Sequence, residues 1–557
     1  MLIGYSMNST IIEAFEYIEN RQPEAVCFTF GHEWVTYSKL GKAVRKLAAA
    51  LSTYGLKNKT VLIVNKTSFE FLVQFLACEY VGAIPVPSYH PDDTALFLKR
   101  FPIILEKGSI NYILTNEENK GLICAQFVEG LPAPLTWLTT EALQDFAGDE
   151  VKPDCADIAF IQFSSGSTGD AKGVIVTHAN LLFCVNSVAS ILMKFDNVDK
   201  DFWGFNWLPL YHDMGLIGAF LLPLLVGFPM AMIPTKTFIQ DPYAWLNGLS
   251  RTKAKMTLAP NFAYDRCVDN ISDEQKASIN LSNLRVAFNG GEHVSPDTIT
   301  RFNSYFESCG LIPEAMCPAY GLAEATLVVT ASDHEGSKSL LLDKEQYSQM
   351  VVSEAPDSVK AISVISSGRF LPEINVVIVD PADRAPRQDM QIGEVMVSSA
   401  SVAYGYCGNS DSSDNFHVRI QDYEKPFLQT GDLGFVKDQH LFITGRLKDL
   451  VIINGKNFDP KTIEEAVAGV DGRLREVANA VFSIGDNNGD RMVLMQEIPN
   501  SVNVNELREK ISAQVEGVLG IHFSDVVFLP IGTIIRTSIG KVSRGECRNM
   551  YLGAVEK

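Results

Sequence analysis

Residues 158–181 read IAFIQFSSGSTGDAKGVIVTHANL, and the order of patterns within them decides how the chain is organised. IAFIQF (158–163) is a short, uninterrupted apolar run, the pattern of a strand buried on both faces. Ser164-Ser165-Gly166-Ser167-Thr168-Gly169-Asp170-Ala171-Lys172-Gly173 follows as a loop, and a helix is expected near His178. Three glycines let the backbone approach an anion closely, while successive N–H groups and hydroxyls can cradle phosphate oxygens. Lys172 adds positive charge, and Thr168 is placed to lean on a metal-bound phosphate. The spacing is not G-x-x-x-x-G-K-S/T, so a P-loop nucleotide hydrolase is not supported. The plain alternative is a flexible serine/glycine loop.

Upstream, TVLIVN (60–65), SFEFLVQFLACEYVGA (68–83) and IPVPSY (84–89) read as strand, helix and strand, a βαβ unit that favours a parallel sheet. The run from residue 158 is expected to be a similar unit. Gly215 to Pro234 is 20 residues long without a charge, long enough to span a bilayer. Pro223, Gly227 and Pro229 interrupt it and no Lys/Arg cluster anchors its ends, so a buried helix running into a buried strand is expected. Downstream of Arg446 the composition changes: LKDLVIINGKNFDPKTIEEAVAGV gives a short strand, a turn and a helix from about Pro460. The last stretch, 447–557, suits a small α+β domain by length.

At 557 residues the chain is too long for one core. Its formal charge of −19 argues against nucleic acid as the main partner, which would need clustered Lys and Arg. Ten cysteines without a C-x-x-C pair read as reduced thiols, not as a zinc site. The polar, acidic N-terminus carries no export pattern, so a cytoplasmic protein without a transmembrane segment is expected.

The loop Ser164–Gly173 within FSSGSTGDAKGVIVTHANL resembles the signature of adenylate-forming enzymes: acyl-CoA synthetases, peptide-synthetase adenylation domains, luciferases and fatty acyl-AMP ligases. Other segments resemble that superfamily's motifs in the same order: Ala319 with Tyr320-Gly321-Leu322-Ala323-Glu324, Thr430-Gly431-Asp432, Gly445-Arg446-Leu447-Lys448-Asp449, and Thr537-Ser538-Ile539-Gly540-Lys541. Trp207-Leu208-Pro209-Leu210-Tyr211-His212-Asp213-Met214-Gly215-Leu216-Ile217-Gly218 and Pro260–Asp265 are most similar to the fatty acyl-AMP ligase branch, as is an insertion at Ser332–Ile365. The resemblance implies an α/β fold: a large N-terminal domain (1–446) with βαβ-built sheets and a β-rich subdomain, and a small C-terminal α+β domain (447–557) joined at Lys448. It implies ATP and magnesium as cofactors, a fatty acid as substrate and a separate acyl carrier protein as partner, since the short stretch after Lys541 holds no carrier domain.

The resemblance also assigns roles. Ser164, Ser165, Gly166, Ser167, Thr168, Gly169, Gly290, Gly291, Glu292, Ala319, Tyr320, Gly321, Leu322, Asp432 and Arg446 would bind the nucleotide, and Thr168 and Glu324 the metal. Lys541 and Lys172 would be catalytic. His212, Asp213, Met214, Ile217 and Phe262 would form the acyl pocket, with the remaining apolar residues to Met232 mostly core. The chain departs from the branch at Asn289-Gly290-Gly291-Glu292-His293 (usually N-G-A-E-P), at Asn457-Phe458-Asp459-Pro460 (usually N-H-Y-P), and at Ile535 and Ile539. None of these removes a charged catalytic group. A fatty acyl-CoA synthetase and a non-catalytic acyl- or nucleotide-binding relative remain alternatives; the intact Lys541, Glu324 and Asp432 argue against the latter. The insertion, with LLL at 340–342 and MVV at 350–352, is too apolar for a free linker and is expected to fold against the large domain.

Overall fold

Thr60–Ile63, Phe69–Tyr80 and Ile84–Pro87 form the expected strand, helix and strand, and the two strands pair in parallel. The helix starts where the Ser68 hydroxyl accepts the Phe71 N–H, and ten of its twelve residues are buried. Its strands belong to a parallel sheet ordered Ile84–Pro87, Thr60–Ile63, Tyr112–Thr115, Thr136–Thr139. The computed structural model describes residues 6, 9–127, 130–131, 134–144, 157–164, 171–347, 351–355, 361–408, 413–453, 456–474, 477–486, 489–499, 503–536 and 542–555.

A second, larger sheet changes character midway. Val26–Phe30, Met230–Met232, Gly204–Asn206, Met256–Ala259, Val286–Asn289 and Met316–Tyr320 are parallel neighbours. Beyond Met316–Tyr320 the neighbours are antiparallel: Thr330–Ala331, Arg369–Phe370, His440–Arg446, Leu428–Lys437, Gly393–Ser398 and Asn375–Val379. The α/β part and the β-rich part therefore share one continuous ladder. Segments 207–218, 260–265, 289–293 and 320–324 each follow the carboxyl end of one of the parallel strands, where open α/β sheets bind ligands.

The reading of residues 158–178 needs correction. Ile158–Ser164 and Lys172–Thr177 pair antiparallel, so the Gly/Ser loop joins a hairpin and does not lead straight into a helix. KGVIVT is rich in β-branched residues and borders Gly405–Tyr406 on its other side, which adds ladder bonds that a helix would forfeit. The helix His178–Phe195 begins only after Thr177, in a reciprocal cap with Asn180. By length and composition it could cross a membrane, but 61% of it is buried inside the protein. Residues 214–232 run as a π-helical turn set (Met214–Leu221), a short helix (Leu222–Val226) and a strand (Met230–Met232), nearly all buried.

After Arg446, the turn Leu447–Asp449 leads into the hairpin Val451–Ile453/Lys456–Phe458 and a helix from Pro460, capped by Asp459. Asn479–Asp486, Gly489–Ile498 and Asp525–Pro530 form a separate sheet. Its faces bury two apolar clusters drawn only from this part, one around Ile463, Leu494 and Ile511, the other around Val493, Cys547 and Tyr551. The terminal helix Arg544–Val555 reaches back to the helix Thr94–Lys107, where Lys99 pairs with Glu546 at 2.7 Å and Arg100 lies 3.8 Å from it. Ser339–Asp343 and Ala361–Ile365 form a hairpin within the insertion. Its Leu342 and Val364, with Val352, pack on Phe435 and Phe442, and Leu450 lies against the same cluster. Leu341 and Val351 point outward.

Candidate active site

One cavity of about 1240 Å³ collects most of the residues singled out in the sequence. Its wall includes Lys172, His212, Asp213, Met214, Phe262, Gly290, Gly291, Glu292, Ala319, Tyr320, Gly321, Leu322, Glu324, Asp432, Arg446 and Lys448. Ile217 does not reach it. That side chain is 1% exposed and lies in the core, and the turn geometry presents Gly218 and Leu222 to the cavity instead. Ser164 ends the strand leading to the loop. Ser165, Gly166, Ser167, Thr168, Gly169 and Lys541 lie outside the described residues.

The polar wall is built from three turns. At 430–432 the Asp432 carboxylate accepts the Tyr320 hydroxyl at 2.7 Å and the Arg446 Nε–H at 2.8 Å. Burial raises the Tyr320 phenol and keeps it a donor, while the Asp432 charge raises Arg446. Glu394, 1% exposed, shapes this turn by accepting the Gly431 N–H and the Gln429 amide. At 320–326 the backbone doubles back so tightly that a Cβ on Gly321 would overlap the Leu327 carbonyl. Thr326 is held at φ 68°, rare for a β-branched residue, by its bond to the Ser401 carbonyl. At 289–293 Gly291 takes φ 76°, and Glu292 accepts the Phe262 N–H at 2.8 Å, capping the helix Asn261–Asn270. Asn261 bonds Asn289 and the Ser295 N–H, fixing that turn to the same helix.

The rest of the lining includes apolar residues: Val188, Met214, Gly218, Leu222, Met256, Leu258 and Phe288. His212 and Asp213, also in the lining, pair at 2.7 Å. A cavity with both charged and apolar lining can hold a nucleotide and an alkyl chain at once.

Glu324 is one of several carboxylates in the cavity lining, and it could hold a divalent cation. One of its oxygens accepts the Tyr406 hydroxyl at 2.7 Å. No group of three or more His, Cys, Asp or Glu suited to a metal occurs among the described residues. A single carboxylate suits magnesium, which is held largely by water and substrate phosphates.

Three residues in this geometry were not singled out by the sequence: Glu394, Asn261 and Tyr406. Asn261 stood inside a quoted segment; Glu394 and Tyr406 lie in strands whose local pattern signals only burial.

The Asp432 arrangement makes one expectation concrete. Asp432→Ala removes a charge-assisted acceptor from the cavity wall and takes the carboxylate partner from the buried Tyr320 hydroxyl. The KM for ATP should rise by about 10- to 100-fold, the scale of a hydrogen bond to a charged group. An unchanged ATP dependence of pyrophosphate exchange would remove Asp432 from nucleotide binding.

Comparison with known proteins agrees with this geometry. A family model described as AMP-binding enzyme matches residues 15–407. The chain is 31% identical to a medium-chain-fatty-acid–acyl-carrier-protein ligase of Moorena producens, over 98% of this chain and 95% of that one. It is 30% identical to a long-chain-fatty-acid–AMP ligase of Mycolicibacterium smegmatis, over 93% of this chain and 88% of that one. Among solved structures, a fatty acyl-adenylate ligase from L. pneumophila, in complex with acyl adenylate and pyrophosphate, is similar at 32% identity. It has a TM-score of 0.75 and covers 98% of this chain and 96% of that one.

Proposed function

Because the chain belongs to the AMP-binding enzyme family, we propose that it joins a fatty acid to AMP at the expense of ATP and passes the acyl group to the thiol of a separate acyl carrier protein. The observation that carries this is the single cavity whose lining joins apolar residues to Glu324, Lys172, Asp432 and Arg446. The names of the relatives, a fatty-acid–acyl-carrier-protein ligase and a fatty-acid–AMP ligase, support the same reading. The nine described cysteines are free, which suits a reducing, cytoplasmic compartment.

In the first step a carboxylate oxygen bonds to the α-phosphorus, and the bond from that phosphorus to the bridging oxygen breaks. Its electron pair leaves with pyrophosphate. No general base is needed, because the acid is already ionised near neutral pH. The protein's task is alignment and neutralisation of two anions. Tyr320, Asp432 and Arg446 hold the ribose side, Lys172 and Lys541 meet the carboxylate and phosphates, and the apolar part of the lining seats the alkyl chain. Glu324 and Thr168 would hold magnesium, which when bound would supply charge neutralisation on the phosphates. In the second step a thiol sulfur bonds to the acyl carbon, the thiol proton goes to solvent and AMP leaves.

The insertion hairpin restrains the small domain, because Leu450, just past the hinge, packs against the same cluster as Leu342 and Val352. The test of the whole reading is ATP–pyrophosphate exchange with a panel of fatty acids. Thioester formation with CoA and with a phosphopantetheinylated carrier protein follows, before and after deletion of Ser332–Ile365. Exchange with fatty acids and acylation of the carrier are expected, with CoA acylation gained on deletion. Absence of exchange with every acid would sink adenylation. Strong CoA acylation by the intact protein would make it a synthetase, and no gain on deletion would remove the hairpin as the cause of acceptor choice.

A further inference from the structure

The segment Ala400–Cys407 brings Tyr406 into the cavity lining, against two of the groups expected to meet ATP. It is anchored at one end by Asn180, whose side-chain amide donates to the Ala400 and Val402 carbonyls at 2.8 and 2.9 Å. It is zipped to the strand leaving the Gly/Ser loop: the Tyr404 N–H bonds the Ile175 carbonyl, the Cys407 N–H bonds the Gly173 carbonyl, and Gly405–Tyr406 pair with Ile175 and Val174. It also holds the turn bearing Glu324. The Ala403 N–H donates to the Glu324 carbonyl at 2.9 Å, and the Ser401 carbonyl accepts the Thr326 hydroxyl at 2.6 Å.

Tyr406 is where these contacts converge on side chains. Its hydroxyl donates to Glu324 Oε1 at 2.7 Å, and the Lys172 ammonium sits 4.6 Å from its ring centroid. Phe416 packs edge-on against the ring at 4.9 Å, fixing its plane. The hydroxyl is the donor in the bond to Glu324, and burial raises the phenol.

We propose that Tyr406 is a positioning residue for the adenylation step, its hydroxyl orienting the Glu324 carboxylate toward the divalent cation and its ring holding Lys172 toward the phosphates. One side chain thereby sets the distance between the two positive charges, metal and ammonium, that ATP must meet. The inference rests on the reading of the cavity as an ATP site given under Proposed function.

The test uses the full chain and its Tyr406→Phe, Tyr406→Leu, Glu324→Gln and Tyr406→Phe/Glu324→Gln variants. Two quantities are read: the magnesium concentration giving half-maximal ATP–pyrophosphate exchange, and calorimetric ATP affinity with magnesium and with EDTA. Tyr406→Phe keeps the ring and should raise the magnesium midpoint by about 10-fold, the scale of one charge-assisted hydrogen bond. ATP affinity in EDTA and the KM for fatty acid should not move. Tyr406→Leu should also weaken ATP binding in EDTA, because Lys172 loses its support. The double variant should require no more magnesium than Glu324→Gln alone, since the hydroxyl acts only through that carboxylate. A wild-type magnesium midpoint in Tyr406→Phe overturns the assignment. So does additivity in the double variant, or an equal loss in every parameter with a lowered Tm, the mark of a merely structural role. ATP binding needs no fatty acid, so absence of exchange in the unaltered protein would sink the proposed function while the calorimetry still decides on Tyr406.

Discussion

Replacing Lys541 by Ala will cut acyl-adenylate formation by about 10²-fold or more, the scale for losing one preorganised electrostatic stabiliser. The step brings a carboxylate onto an α-phosphate, and two unit charges 4 Å apart at an effective dielectric of 20 repel by about 4 kcal/mol. One ammonium between them removes much of that cost, and alanine supplies no substitute. Lys541 itself lies outside the described residues, but Arg536 and Val542, which flank its segment and bridge each other, both line the cavity. ATP affinity should survive, since the nucleotide contacts proposed for Asp432, Arg446 and Lys172 come from other elements. Pyrophosphate release in a single turnover checks the expectation; near-normal acyl-AMP production would end the catalytic assignment of this lysine.

Lys448→Pro should separate the two half-reactions. One adenylate must meet ATP-side groups first and a thiol later, which requires the small domain to take two arrangements around it. The turn Leu447–Asp449 is the only chain connection between the sheet strand His440–Arg446 and the hairpin beginning at Val451. In the arrangement seen here Val542, Ser543 and Arg544 line the cavity, so under the proposed function this is the arrangement expected to serve adenylation. Proline tolerates the φ of such a turn but holds it there and removes a backbone donor. A constraint of about 3 kcal/mol on the pivot lowers the second arrangement about 10²-fold. Adenylate formation should persist while transfer to the carrier thiol collapses. Equal loss of both, with the fold intact by circular dichroism, would place the pivot elsewhere.

How far the sequence could be read follows the range of the interactions involved. The unit at 60–87 was legible because its helix is capped by the adjacent Ser68 and its strands are short apolar runs. The helix at Pro460 was legible for the same local reason, with proline in its first turn and Asp459 before it. The hairpin around the Gly/Ser loop was not legible. KGVIVT lies between the loop and the expected helix at His178, and its outer partner, Gly405–Tyr406, lies more than two hundred residues away. In the site, groups carried by motifs were found, whereas residues acting through a second side chain were missed. Glu394 reads as one more position in a buried strand until its carboxylate is seen on the Gly431 N–H. Ile217 errs the other way: the resemblance assigned it to the acyl pocket, but in the π-helical turns it is buried in the core.

The bond from Lys99 to Glu546 carries a kinetic consequence. It ties the terminal helix to the large domain well away from the chemistry, with Lys99 46% exposed and Glu546 15% exposed. A pair that accessible stabilises by about 0.2–1 kcal/mol. Any swing of the small domain must break it. Ions screen such contacts over about 8 Å at physiological strength. Raising ionic strength therefore loosens the docked state a few-fold and speeds its departure without touching a reacting group. Under the proposed two-step function, added salt is therefore expected to favour the delivery step over the making of the adenylate.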